Sequence, residues 1–97
     1  MTQWTITEDH VADPDAKPGT NANAVGVVGP RGAVLSSKEI VDHPDSIPFR
    51  MRDDDHELVY VGFLLGDDLF APLDDFGMPN AGCTEIEVRE HGEWKPV

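Results

Sequence analysis

Cysteine is nearly absent from this chain. Cys83 stands alone, so no internal disulfide can form, and one cysteine with four scattered histidines lacks the paired ligand spacing of a structural zinc site. Long hydrophobic runs are missing too. No apolar stretch approaches the ~18 residues of a membrane-spanning helix, and the opening MTQWTITEDH has neither the basic start nor the apolar core of a secretory leader. These absences lead us to expect a cytoplasmic protein with no membrane association. Basic residues are scarce: 7 Lys and Arg face 19 Asp and Glu, for a net charge of −12. Direct binding to nucleic acid or to anionic lipid relies on Lys and Arg displacing counterions, so both are expected to be disfavoured.

What is present suits one small domain over residues 1–97. The hydrophobic share of 39%, before nine glycines are added, is enough for a single core and too little chain for two. Trp4 and Ile6 alternate with polar neighbours as in a half-buried strand. Residues 8–23 are polar and broken by Pro14, Pro18 and Gly19, which reads as a long loop. AVGVVG at 24–29 suits a short buried strand ended by the GPRG turn. Ser36 lies three residues before Glu39, the spacing of a capping box, and starts a helix of a turn or two closed by Pro44. Phe49 and Met51 alternate with Arg50 and Arg52, and after DDDH the run ELVYVGFLLG is apolar on both faces, so the pair reads as a hairpin with a central second strand.

LFAPL at 69–73 is read as a further strand at an edge position, because of Pro72. Thr84, Ile86 and Val88 alternate with charged residues, and His91-Gly92 turns the chain toward Trp94, expected on the core face. The sum is a mainly β domain, a small antiparallel barrel or a curved sheet of five to seven short strands with at most one short helix. An α+β sheet is the alternative.

If 49–52, 57–65 and 69–73 form a meander, Asp53, Asp54, Asp55, Asp74 and Asp75 gather at one rim. Asp53, Asp55, Asp74 and Asp75 are then the candidate ligands for a hard divalent cation. No EF-hand is present, since counting from Asp53 the required Gly and Glu positions hold Leu58 and Leu64. Aspartate is also common in turns for its own backbone hydrogen bonds. The glycines of KPGTNANAVGVVGPRG match neither a P-loop nor a dinucleotide fingerprint, and no cofactor is expected. No histidine sits in a nucleophile motif with Cys83, whose place before an alternating run suits a packed thiol at a strand start. Arg31, Arg50 and Arg52 are the basic residues of note, expected to pair with carboxylates across strands.

Three stretches, KPGTNANAVGVVGPRG, FRMRDDD and PLDDFGMPNAGCTEIEV followed by GEW, together resemble a group of short bacterial proteins with no assigned activity. The likeness runs over residues 17–97, with PLDDFGMPNAGCTEI its most distinctive part. It implies a bacterial cytosolic protein and transfers no functional residue. In that pattern glycine often follows the acidic turn where this chain has His56, which implies an altered turn or a strained backbone here.

No catalytic constellation assembles in the sequence, so the leading expectation is a non-enzymatic protein–protein interaction module. Its contact residues are expected in the 74–83 loop: Phe76 and Met78, with Asp74 and Asp75. Two alternatives stand beside it. One is an acidic nucleic-acid mimic that occupies a basic DNA- or RNA-binding protein; the other is a small barrel binding a ligand or a divalent cation. The expected partner is another protein, and the chain itself a monomer or a homodimer.

Overall fold

The computed structural model describes all 97 residues. Six strands form one open antiparallel sheet in the order β2-β1-β4-β3-β5-β6. They are β1 (Gln3–Asp9), β2 (Val28–Gly29), β3 (Ile47–Asp53), β4 (Leu58–Leu65), β5 (Cys83–Glu90) and β6 (Glu93–Pro96). The mainly β expectation holds, in its sheet form and not as a barrel. β4 pairs with both β1 and β3, the central place expected of a strand apolar on both faces.

Alternation sorts the two faces of the sheet. Trp4 and Ile6 of β1, Phe49 and Met51 of β3, and Ile86 and Val88 of β5 are all buried in one cluster with Tyr60, Leu64, Leu73 and Cys83. Gly62 on β4 makes room for this packing: a Cβ there would collide with the Thr5 carbonyl and meet the Phe49 ring at 2.7 Å. The opposite face carries Arg50, Arg52 and Glu87. Helix α1 (Ser37–Asp42) lies against β1 and β4 and buries Ile40 completely. Its start is the capping box expected from Ser36 and Glu39, each side chain bonded to the other residue's backbone N–H. Thr5 is fully buried beneath it and shares a hydrogen bond with Ser37.

The structure corrects three expectations about these elements. Residues 69–73 are not a strand: 71–81 are helical, with a π-helical stretch at Leu73–Gly77 followed by α2 (Met78–Ala81), so the fold has more than one short helical element. Leu69, Leu73 and Phe76 recur at helical spacing and face the core, and Pro72 sits in the first turn, where no N–H is required. The segment crosses the core face from β5 toward β1. Second, the 24–29 run is strand only at Val28–Gly29: Gly26 at φ 88° breaks the extended backbone, although the Gly26 N–H still donates to the Ile6 carbonyl and the Val27 carbonyl accepts from the Ile6 N–H. Third, Trp94 lies on the face opposite the core. The two turn residues His91 and Gly92 have φ of 52° and 79°, a tight hairpin that places Trp94 directly across from Arg89.

Candidate functional site

The aspartate rim does not form. Its premise was a strand at 69–73, and with that segment helical Asp74 and Asp75 stand on the layer covering the core, while Asp53 ends β3. Asp53 accepts the backbone N–H groups of Asp55 and Glu57 and so serves its own turn. Asp75 accepts the indole N–H of Trp4 at 3.0 Å. Nowhere do three His, Cys, Asp or Glu side chains come together in a way that would hold a metal ion, so Asp53, Asp55, Asp74 and Asp75 do not assemble into a chelating set.

The expected contact residues divide. Phe76 is tucked under its own segment, its ring 5.3 Å from Trp4 and 5.2 Å from Tyr60 between centroids, and it belongs to the core packing. Met78 and Asp74 are exposed. Cys83 is completely buried, and burial, with the charge of Asp53 adding to it, pushes its thiol up to about 11. A thiol so placed is protonated at neutral pH and is a poor nucleophile.

Two features remain on the β3–β5–β6 side. The first is a polar chain across the outer face. Glu87 Oε1 accepts from Nε of Arg50 at 2.8 Å and from Nε of Arg52 at 3.0 Å. Arg50 also lies over the Trp94 ring at 4.5 Å, and Arg52 donates to the carbonyl of His56. The Arg50 hydrogen bond, opposed by burial and reinforced by Arg52, holds the Glu87 carboxyl below the usual glutamate range. The pairing of Arg50 and Arg52 with a cross-strand carboxylate matches the sequence reading, whereas Arg31 lies elsewhere, near Trp4 and Asp75. Next along the chain, His56 Nδ1 is 2.7 Å from Glu85 Oε2. His56 has φ 63°, the left-handed backbone that glycine adopts most readily.

The second feature is a pocket of about 210 Å³ where β5 meets the helical segment. Phe70, Leu73, Ile86, Pro96 and Val97 supply its apolar wall. His56, Thr84, Glu85 and Glu87 supply the polar one. Phe70 is 45% exposed and Val97 39%, so the apolar wall is open to solvent. β6 pairs with β5 as far as the bond from the Val97 N–H to the Ile86 carbonyl, leaving Cys83–Glu85 with β3 on one side and no strand on the other. A register shift between Arg52 and Asp53 bends this end of the pairing.

No family model matches the chain, and no curated protein or solved structure matches it. The site therefore rests on its own geometry. Every buried side-chain nitrogen and oxygen has a hydrogen-bond partner, so no orphaned polar group marks a ligand position. Sequence reasoning missed Phe70 because it was placed in a strand. The signal was its position off the helical stripe of Leu69, Leu73 and Phe76, which turns it toward solvent.

Proposed function

We propose that this protein is a non-enzymatic interaction module that receives an apolar side chain of a partner protein in the pocket between Phe70 and Val97. The pocket carries the reading: a concave apolar wall left open to solvent, next to a stretch of β5 that has β3 on one side and no strand on the other. Its volume of about 210 Å³ is below the roughly 300–1,000 Å³ of sites that enclose a small-molecule ligand, and the two larger hollows, about 490 Å³ by Asp9, Tyr60 and Asn80 and about 510 Å³ by Trp4, Arg31 and Asp75, are shallower. The mimic reading lacks comparable support, because the paired acids sit in separate elements, Asp53–Asp55 at the end of β3 and its turn, Asp67–Asp68 after β4 and Asp74–Asp75 in the helical segment.

Thr84 is exposed in the pocket wall, and Thr84→Trp fills the space with a residue that strands accept. The immobilised wild type and Thr84→Trp are compared for proteins retained from a bacterial lysate, with unchanged circular dichroism as the control for folding. A partner held by the wild type and lost by the variant supports the reading. Equal retention by both overturns it.

A further inference from the structure

Three observations bear on what enters the pocket. Its volume suits one side chain. The Cys83–Glu85 stretch beside it pairs with β3 on one side and has no strand on the other, an edge that favours an extended segment laid alongside. In its wall Glu87 is already met by Arg50 and Arg52 and Glu85 by His56, so the negative charge a partner encounters comes from the Asp53–Glu57 turn to which His56 belongs and from the chain's net −12. Arg50 and Arg52, the nearby cations, are both engaged with Glu87. Across the whole chain only Glu8, Asp42, Glu85 and Glu87 are in ion pairs, so most of the nineteen carboxylates stay uncompensated.

We infer that the pocket's occupant is an extended segment of a basic partner protein, with one apolar side chain inserted and lysine or arginine on either side of it. This rests on the interaction reading above and deepens it. Opposite charge around an apolar anchor favours encounter and fixes which segment binds. A second copy of this chain is the poorer fit, because each copy carries −12 and the two would repel.

The test titrates the full-length, nitrogen-15-labelled protein with acetyl-Lys-Val-Leu-Val-Lys-amide and with acetyl-Glu-Val-Leu-Val-Glu-amide at millimolar concentration, following backbone amide shifts. The expected result is a set of shifts confined to Thr84–Glu87, Phe70 and Val97, with the lysine peptide bound about tenfold more tightly at low salt. Equal binding of both peptides at those amides overturns the basic partner while leaving the interaction module standing. Shifts elsewhere, or none with either peptide, overturn the extended-segment assignment, and the Thr84→Trp comparison then judges the module separately. Concentration-dependent shifts at the same amides without peptide overturn it in favour of self-association.

Discussion

The indole Nε1 of Trp4 donates to Asp75 Oδ2 at 3.0 Å, joining residues 71 positions apart. The bond ties β1 to the helical layer over the core, and Trp4 is only 2% exposed. Asp75→Ala leaves a nearly buried donor without its acceptor and is expected to destabilise the protein by about 1–3 kcal/mol. Asp75→Asn keeps an acceptor and should cost less than half as much. Urea denaturation of the three proteins measures both differences.

Glu87 sets a pH dependence. Its carboxyl ionises more readily folded than unfolded, first through the Arg50 hydrogen bond, so its contribution is present above the unfolded value of about 4.3 and is lost as pH falls through the lower folded value. Glu87→Gln is expected to cost about 1–3 kcal/mol at neutral pH, with the gap to wild type closing below about pH 4. Denaturation series of both proteins across acidic pH check the direction. A gap that is constant with pH would show that the Arg50–Glu87–Arg52 contact contributes through packing alone.

The strands that read clearly in the sequence are those whose two faces differ. β1, β3 and β5 each alternate a buried apolar residue with a polar one, and the capping box of α1 depends on two residues three apart, so local spacing was enough for all of them. The 69–73 segment was ambiguous because Leu69, Ala71 and Leu73 satisfy an alternating pattern while Leu69, Leu73 and Phe76 satisfy a helical one. The choice between them depends on whether the core face of the sheet still needs covering, which is tertiary information. Taken as a strand, the segment carries Asp74, Asp75 and Phe76 to a rim and a loop tip and hides Phe70. The face of Trp94, by contrast, was available from the sequence: a two-residue turn at His91-Gly92 pairs it with Arg89, whose position two residues past Glu87 puts it on the charged side.

Cys83 should be chemically silent in the folded state. Burial is complete and the thiol is pushed up to about 11, so iodoacetamide at neutral pH is expected to modify it only after unfolding. Mass spectrometry of native and urea-treated protein reads the outcome directly. Rapid native labelling would show that the segment 71–81 opens far more often than its packing implies.

His56 holds left-handed backbone in an exposed turn. His56→Gly and His56→Ala both lose the contact with Glu85, which is exposed and contributes little. They differ in backbone strain, and the glycine variant is expected to be the more stable by about 1 kcal/mol. Thermal unfolding of the pair isolates the cost of the turn from that of the side chain. Equal stability would place the acidic turn in another conformation in solution.

The two edge strands of the sheet are its shortest: β2 at one edge has two residues, and β6 at the other has four and ends in Pro96, which has no N–H. The short uncovered stretch of β5 is bent by its register shift. Fibrils grow by adding chains to a long, flat, unprotected strand, and neither margin supplies one. Resistance to that kind of polymerisation is therefore built into the order in which the strands are laid down, independently of the negative charge. A substitution that lengthened β2 would weaken it even if the charge were untouched.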